Sequence, residues 1–462
     1  MSEKKENNVC YEKKTVYEKA GKKTVREAYD YAKEYVKFLD ASKTEREAVA
    51  ESIRIAEAAG YRSYRFGDAM KPGDKFYYNN RGKNLFLFKI GTEPINNGIR
   101  ITGAHIDSPR IDLKQNPVFE DSGFAFFKTH YYGGIRKYQW LAMPLALHGV
   151  VVKQNGEVVN VTVGEKDSDP VMYITDLLPH LAQNEVGKTV SAAFPGERLN
   201  ILIGSVPYAD EGKDRVKLAV LSLLHDDYGI TEEDFLSAEL TAVPAFQSRD
   251  IGFDRSFIGA YGHDDRVCAY AELRAILDLD VPERTAVCIL ADKEEIGSEG
   301  VSGMQSQAFD TFMADLCETQ GVALRRCFEK SFCLSADVCN AFDPNYPEVS
   351  EKRNEAKVNY GMGICKFTGA RGKSGTSDAS AEIVAHLRRL FADAGVVWQM
   401  CELGKVDQGG GGTIAKYMAN RNIDTIDAGV PVLSMHAPFE TVSKFDCWMT
   451  YKGVLAAYQE KA

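Results

Sequence analysis

The sequence lacks several features that mark particular classes of protein. It has no apolar run of about 18 residues, so no segment is suited to cross a membrane as a helix. It has no surplus of positive charge, because 56 Lys and Arg stand against 66 Asp and Glu, and the formal charge of -10 argues against a nucleic-acid partner. Its ten cysteines include no Cys-x-x-Cys pair, and its polar start, MSEKKENN, has no apolar signal core. We therefore expect a cytoplasmic protein with reduced thiols, and neither a membrane nor a nucleic acid as its partner.

The length of the chain predicts a large core and more than one structural unit. With 462 residues, 44% of them hydrophobic, it suggests two or three domains, or one large domain with an insertion. The first 20 residues are polar and are interpreted as a mobile or exchanged arm. Thr24 with Glu27, and Thr44 with Glu47, have capping-box spacing ahead of helical apolar patterns, and the second helix is expected to stop at Gly60. Two amphipathic helices are therefore predicted near the start.

The pattern of strands and helices changes twice along the chain. The runs NLFLFKIG and GIRITGAHID are typical of strands. Between about Ile111 and Phe253 the sequence becomes rich in β-forming residues, and Asn155-Gly156 within VVVKQNGEVVNVTVG predicts a two-residue hairpin turn. Beyond Phe253, helices and strands alternate again, including the strand TAVCILAD. The sequence thus predicts an α/β domain from residues 1–111 and 254–462, interrupted by a β-rich insertion at residues 112–253.

Polar side chains suited to metal binding or hydrolysis follow several predicted strands. They are His105 and Asp107 after GIRITGA, Asp264 and Asp265 after YGH, Glu294 and Glu295 after TAVCILADK, Asp337 after SFCLSA, and His436 after GVPVLSM. In an open α/β sheet, loops from the carboxyl ends of strands can share one pocket. Two histidines with several carboxylates and no cysteine suit a dinuclear zinc, cobalt or manganese hydrolase better than a structural zinc site.

The adjacent Glu294 and Glu295 can perform two different tasks. One carboxylate can bind a metal ion while its neighbour, facing the other way, acts on water as general base. A Glu-Glu pair alone is common on solvated surfaces, so this interpretation depends on the other strand-end residues. Asp107, two residues beyond His105, is placed to orient that imidazole for catalysis without binding metal. The remaining histidines outside these motifs are interpreted as surface or hydrogen-bonded structural residues, namely His130, His148, His225, His263 and His386.

Five segments resemble, in order, the site motifs of the aspartyl aminopeptidase family of metallo-aminopeptidases. They are GAHIDSPR, HDDRVCAY, DKEEIGSEG, SADVCNAFDPNY and DAGVPVLSMHAP, and the resemblance spans nearly the whole chain. It implies two divalent ions per subunit, Zn²⁺ first, with Co²⁺ or Mn²⁺ as alternatives. The implied metal ligands are His105, Asp264, Glu295, Asp337 and His436, with Glu294 as the general base. Asp264 would bridge the ions, although HDDR leaves Asp265, otherwise interpreted as a helix cap, as an alternative bridge.

The resemblance also implies an architecture and a substrate. The family fold is a zinc-peptidase-like three-layer α/β/α catalytic domain with an inserted β-rich dimerisation domain, and its dimers assemble into a dodecamer. The substrates would be peptides with a free N-terminus, and His180 in LLPHLAQ would reach the site of a neighbouring subunit. Lys373 would pair with an acidic N-terminal residue, while Gly410 would shape the pocket floor. GARGKSGTS around Lys373 is longer and richer in Gly and Ser than the eukaryotic family pattern, so a preference for neutral N-terminal residues stays open.

Two other functions fit the same residues. A dinuclear zinc deacylase would use the same metal set but would act on blocked amines rather than on free N-termini. A non-catalytic shell protein of the same fold would tolerate loss of Glu294 or of a metal ligand, yet every such position is intact in this chain. The sequence therefore predicts a metallo-aminopeptidase, with these two classes as alternatives.

Overall fold

A computed structural model describes residues 9–208 and 212–461. Its α-helices are α1 (Val16–Lys19), α2 (Lys22–Asp40), α3 (Glu45–Ala58), α4 (Val190–Ala193), α5 (Arg215–Tyr228), α6 (His263–Asp278), α7 (Ala308–Glu318), α8 (Leu324–Glu329), α9 (Ala381–Asp393), α10 (Ala415–Ala419) and α11 (Lys444–Gln459).

The strands form three sheets. They are β1 (Arg62–Ser63), β2 (Lys75–Asn80), β3 (Asn84–Lys89), β4 (Arg100–His105), β5 (Arg110–Asp121), β6 (Phe124–Tyr132), β7 (Leu145–Val152), β8 (Val158–Val163), β9 (Tyr173–Ile174), β10 (Ile201–Gly204), β11 (Ala238–Pro244), β12 (Arg249–Ile251), β13 (Phe257–Ala260), β14 (Ala286–Ala291), β15 (Phe332–Ala336), β16 (Cys339–Asn340), β17 (Met362–Cys365), β18 (Trp398–Cys401), β19 (Asp424–Gly429), β20 (Pro431–Leu433) and β21 (Glu440–Ser443).

The central sheet has nine strands in the order β1-β2-β3-β14-β4-β15-β19-β17-β18. Its four middle strands, β14, β4, β15 and β19, run parallel to one another. Because parallel strands present their carboxyl ends at one edge, the loops that follow them lie side by side there.

Helices cover both faces of this sheet. Successive residues of β3 point to opposite sides, so Leu85 and Leu87 pack with α2, α3, α6, α9 and α11, while Phe86 and Phe88 pack with α7, α8 and α10. The apolar run in this strand is therefore buried on both faces, as a sheet between two helical layers requires. The expected α/β class is confirmed, with three layers around the nine-stranded sheet.

A second sheet has seven strands in the order β8-β7-β11-β5-β6-β10-β9 and its own apolar core around Phe127 and Trp140. A third sheet has the strand order β12-β13-β21-β20-β16, and its strands come from residues 249–260, 339–340 and 431–443. The strands of the second sheet all fall between Arg110 and Pro244, close to the region where a β-rich insertion is expected. The division into domains stays a prediction.

The expected helix starts are partly confirmed. Thr44 caps α3 in a capping box with Glu47, and Gly60 follows its end with a φ of 87°. The capping box at Thr24 is wrong, because α2 begins earlier, after Gly21, and has no side-chain cap.

The expected arm and hairpin also need correction. Residues 1–8 lie outside the described parts of the chain, but α1 forms within the first 20 residues and buries Val16, so an arm free of the body is wrong there. The hairpin at Asn155-Gly156 is confirmed, since β7 and β8 pair antiparallel, yet residues 153–157 connect them rather than two residues. In the described parts of the chain, none of the helices combines the length and hydropathy needed to cross a membrane.

Candidate metal centre

Three parallel strands of the central sheet bring polar side chains to one edge. His105 is the last residue of β4 and pairs in register with Ala291 at the end of β14. Glu294 and Glu295 lie in a short 3₁₀ turn after β14, and Asp337 directly follows β15. All four side chains line one cavity of about 540 Å³.

Asp264 lies between the two histidines of this cavity. It enters at the start of α6, and His436 enters from the loop between β20 and β21. One oxygen of Asp264 is 3.0 Å from Nε2 of His105, and the other is 3.1 Å from Nε2 of His436. A carboxylate in this position can join two cation sites, each served by one imidazole.

The adjacent glutamates lie near different histidines. An oxygen of Glu294 is 4.0 Å from Nε2 of His105, and an oxygen of Glu295 is 3.5 Å from Nε2 of His436. Lys293, just before them, has a φ of 67°, so the backbone turns sharply as it leaves β14. This turn lets two consecutive carboxylates enter the same cavity.

Asp265 also belongs to the cluster. Its ligand oxygen lies within 4.8 Å of those of His105 and Asp337, and an equivalent group joins His105, Asp264 and Glu295. The interpretation of Asp265 as a helix cap is wrong, because Gly262 is the N-cap of α6 and neither oxygen of Asp265 has a hydrogen-bond partner. Two overlapping donor sets therefore share His105.

Asp107 orients the residues around it. Its carboxylate accepts hydrogen bonds from the backbone N–H groups of Glu294 and Glu295 at 3.1 and 3.2 Å, and from the hydroxyl of Tyr132 at 2.7 Å. Its backbone carbonyl accepts a hydrogen bond from Nδ1 of His105 at 2.9 Å. Because Nδ1 carries that proton, Nε2 of His105 is left with a lone pair that faces the cluster and could accept a cation.

Two further supports could not be seen in the sequence. The Glu440 carboxylate accepts hydrogen bonds from the backbone N–H groups of Asp264 at 3.0 Å and of His436 at 2.7 Å. The carbonyl of Gly134 accepts a hydrogen bond from Nδ1 of His436 at 2.8 Å. Glu440 follows His436 closely in the chain, which is the one available signal, whereas nothing in the sequence marks Gly134.

The electrostatics of the cavity favour a bound cation. Burial, together with the charges of Asp107 and Asp264, raises the pKa of Glu294 to about 7. Burial lowers the pKa of His436, but the Asp264 and Glu295 carboxylates raise it to a net value of about 10. Both shifts show an excess of negative charge around two imidazoles.

Unpaired buried oxygens indicate which kind of cation would fit the cavity. Both carboxylate oxygens of Asp265 and Oε1 of Glu295 are buried without a hydrogen-bond partner. Buried carboxylate oxygens are normally paired, so these are free to bind metal. Imidazole nitrogens with carboxylate oxygens suit zinc and similar divalent ions, and the residues present therefore fit such a site.

The expected substrate residues lie in different places. Gly410 lines the cavity with a φ of 116°, and a Cβ there would lie 2.5 Å from the backbone of Ala370. Lys373 does not line the cavity, and its ammonium lies 3.0 Å from the carboxylate of Asp378. His180 is exposed in the 3₁₀ turn Pro179–Glu185, also away from this cavity. Among the described residues, Lys416 is the lysine that lines the cavity, and sequence reasoning missed it.

Comparison with known proteins assigns the chain to a class. Residues 38–458 match the family described as Aminopeptidase I zinc metalloprotease (M18). The protein is therefore a zinc metalloprotease.

Similar proteins identify the family. The chain is 50% identical over 459 residues to the Probable M18 family aminopeptidase 1 of Clostridium acetobutylicum. This alignment covers 97% of this chain and 99% of the relative. The crystal structure of an M18 aminopeptidase from Thermotoga maritima matches with a TM-score of 0.94 and 43% identity, over 98% of this chain and 100% of that one. The chain belongs to the M18 family of aminopeptidases and is an aminopeptidase, which confirms the resemblance found in its motifs. A more distant structure, the mApe1 dodecamer of S. cerevisiae, is 22% identical with a TM-score of 0.75, and covers 92% of this chain and 96% of that one.

Proposed function

We propose that this aminopeptidase hydrolyses the N-terminal peptide bond with two divalent ions, Zn²⁺ first, and with Glu294 as the general base. The proposed metal ligands are His105, Asp264, Glu295, Asp337 and His436. The position of Asp264, 3.0 and 3.1 Å from the two imidazoles, is the observation that best supports two ions. The contact of Asp265 with His105 and Asp337 makes it a further candidate ligand.

The protein residues have distinct tasks in this reaction. Two divalent ions supply Lewis acidity and lower the pKa of water. Glu294, whose pKa is raised to about 7, accepts a proton from the attacking water and returns it to the leaving amine. Asp107 holds the backbone of Glu294 and the ring of His105, so that base and ligand keep their relative positions.

The substrate preference is proposed from the cavity wall. An N-terminal Asp or Glu would need a cation nearby. Lys373 remains the residue that the family resemblance implies, but it does not line the cavity and it shares the Asp378 carboxylate with Lys366. Lys416 lines the cavity beside Tyr417, so it is the stronger candidate for pairing with an acidic side chain. Gly410 would shape the cavity floor, because its φ of 116° and its close packing against the backbone of Ala370 require a residue without a Cβ there.

The assembly is proposed to be a dodecamer built from dimers. The related mApe1 forms one, and the segment around His180 exposes Leu177, Leu178 and Leu181, which are 49 to 65% exposed. Such a group of apolar side chains is typical of a protein–protein interface. His180 would then enter the site of a neighbouring subunit. All ten cysteines are free thiols, which supports a cytoplasmic location.

A substrate panel tests the proposal. Peptide reporters with free N-terminal Asp, Glu, Leu, Met or Ala are assayed with Zn²⁺, Co²⁺ or Mn²⁺, after chelation, and beside N-acylated versions. We expect metal-dependent cleavage of free N-termini alone. Cleavage of the acylated reporters instead would support the deacylase, while no cleavage of any reporter would support the non-catalytic shell protein.

A further inference from the structure

Three cysteines that are far apart in the sequence meet beside the catalytic cavity. Cys339 lies in β16, Cys365 ends β17 and Cys401 ends β18. Their sulfur atoms all lie within 4.8 Å of one another, and the sulfurs of Cys365 and Cys401 are 3.3 Å apart. Cys339 and Cys401 are buried, and Cys365 is half-buried.

The backbone around these thiols is built to let them approach. Cys365 and Cys401 are directly paired residues of parallel strands, which puts their side chains next to each other. Gly363 faces the group, because a Cβ there would lie 2.3 Å from the sulfur of Cys339 and 3.0 Å from that of Cys401. Any larger residue at position 363 would therefore push the sulfurs apart.

We propose that Cys339, Cys365 and Cys401 form a thiolate site for a zinc-class metal ion, distinct from the centre of histidines and carboxylates. Four-coordinate zinc with sulfur about 2.3 Å away requires sulfurs about 3.8 Å apart, which is within the spread of this group. Binding releases the thiol protons to solvent and needs no oxidant.

Glu355 is the candidate fourth donor. It is 1% exposed, and its Oε2 has no hydrogen-bond partner, while Oε1 accepts a hydrogen bond from Asn340 at 2.5 Å. A buried carboxylate oxygen without a partner is costly unless a cation or a donor satisfies it. Asn340 directly follows Cys339, and Ala356, next to Glu355, packs against the three cysteines.

A disulfide explains the group less well. It would use two of the sulfurs and leave the third thiol and the unpaired oxygen of Glu355 without a role. Cys317 and Cys327 form a contrasting pair of buried thiols that interact with each other, because no third cysteine of the described residues joins them in a metal-capable group. The third sulfur distinguishes the proposed site from that pair.

The site would hold one wall of the catalytic cavity. Cys339 and Cys365 line that cavity, and Cys339 lies two residues beyond Asp337. A metal bound to all three sulfurs would tie β16 to β17 and β18. It would thereby fix the strand that follows a proposed catalytic ligand.

Cobalt spectroscopy of the full chain tests the proposal. The protein is purified under reducing conditions, stripped of metal by chelation and titrated with Co²⁺. Because the proposed catalytic donors contain no sulfur, a sulfur-to-cobalt charge-transfer band in the near ultraviolet reports on thiolates alone. We expect this band to saturate by the addition of three Co²⁺ per chain, because the two proposed catalytic sites also take up Co²⁺. The Co²⁺ affinity that the band reports should fall at least about tenfold in Cys401→Ser, the lower end even for loss of a residue that only supports a ligand. The matched control, Cys317→Ser, should keep it.

A second measurement, made on the wild-type chain, tests the proposal even if Cys401→Ser does not fold. X-ray absorption of the wild-type chain loaded with Zn²⁺ should show sulfur scatterers at about 2.3 Å. Absence of the cobalt band and of sulfur scatterers would overturn the proposal, as would a band that reports the same Co²⁺ affinity in Cys401→Ser. A Cys365–Cys401 disulfide found by mass spectrometry in the reduced preparation would also overturn it. Aminopeptidase activity can survive any of these results, so failure here is separate from failure of the proposed function.

Discussion

The hydroxyl of Tyr132 donates a hydrogen bond of 2.7 Å to the carboxylate of Asp107. Tyr132 ends β6 of the seven-stranded sheet, whereas Asp107 follows β4 of the nine-stranded sheet. The same carboxylate holds the backbone of Glu294 and Glu295. The second sheet therefore supports the loop that carries the proposed base and a proposed metal ligand.

Replacing Tyr132→Phe should weaken metal binding without unfolding the protein. The ring would keep its packing, but Asp107 would lose one donor and hold its loop less firmly. We expect metal affinity, measured by competition with a chelator, to fall about tenfold, the lower end for loss of a residue that supports a ligand. Tyr131→Phe is the control, because Tyr131 is 41% exposed on the same strand. Equal affinities for both variants would contradict this role of Tyr132.

Replacing Glu294→Gln should separate metal binding from turnover. The amide cannot accept the proton of the attacking water, so we expect kcat to fall by about 100-fold or more. Metal content, measured on the same samples, should be retained, because Glu295 and not Glu294 is the proposed ligand. Glu299→Gln in the same loop is exposed and should leave both quantities unchanged. Full activity in Glu294→Gln would remove this residue from the mechanism.

Replacing Asp264→Asn and Asp265→Asn should have different effects on metal content. Asp264 contacts both imidazoles, so its loss should weaken both proposed ion sites. Asp265 lies with His105 and Asp337, so its loss should weaken one site and leave the other occupied. Metal analysis after dialysis checks this. If Asp265→Asn lost both ions and Asp264→Asn lost one, the bridge would be Asp265.

Replacing His148→Gln should destabilise the protein in a pH-dependent way. Nδ1 of His148 lies 2.7 Å from Glu47 and Nε2 lies 2.9 Å from Glu165, so the ring links α3 to β7. Burial alone would lower the pKa of His148 and raise the pKa values of the two glutamates. The contacts outweigh burial, so the pKa of His148 lies above 6.5 and those of both glutamates lie below 4.5. The histidine contribution is complete below pH 6.5 and is lost as pH rises through the raised pKa. The glutamate contributions are complete above pH 4.5 and are lost as pH falls.

The contacts of His148 with Glu47 and Glu165 should therefore stabilise the protein most between pH 4.5 and pH 6.5. At pH 5.5 we expect His148→Gln to cost about 2 kcal/mol of unfolding free energy, typical of hydrogen bonds to charged groups. At pH 9 the cost should be smaller. Denaturant unfolding at both values checks this, with the exposed His130→Gln as control. An equal cost at both pH values would contradict a charged His148.

Replacing Lys416→Met should affect acidic substrates selectively. If this lysine pairs with an acidic side chain, KM for Asp and Glu reporters should rise about tenfold, equivalent to about 1.4 kcal/mol, while KM for Leu reporters stays the same. Lys373→Met is the comparison. If only Lys373→Met raised KM for the Asp and Glu reporters, Lys373 and not Lys416 would be the residue that selects acidic substrates.

The sequence predicts where the site lies better than it predicts the contacts that orient the site residues. His105, Glu294 and Asp337 could be found because they follow apolar runs that are parallel strands in the structure. The sequence left Asp265 as either a helix cap or an alternative bridge. The first residues of α6 are not helical, with a ψ of 108° at Asp264, and Asp265 lies with His105 and Asp337 rather than capping the helix.

Hydrogen bonds between a site residue and a backbone carbonyl leave no pattern in the sequence. The carbonyl of Gly134 contacts a histidine 302 positions away, and any residue has a carbonyl. The three clustered cysteines show no metal-binding spacing, because separate strands bring them together. Such contacts follow from strand order, which single-sequence patterns do not determine.

The contact of Gly134 with His436 limits how this enzyme can be recombined. A chimera that takes β6 and the loop after it from another family member would also replace the chain segment that orients a proposed metal ligand of the host. Crossover points that keep residues 107–134 together with residues 434–440 would preserve this contact and the one between Asp107 and Tyr132. Directed recombination, like natural exchange of gene segments, should therefore yield active enzymes mainly when these two stretches are inherited from the same parent.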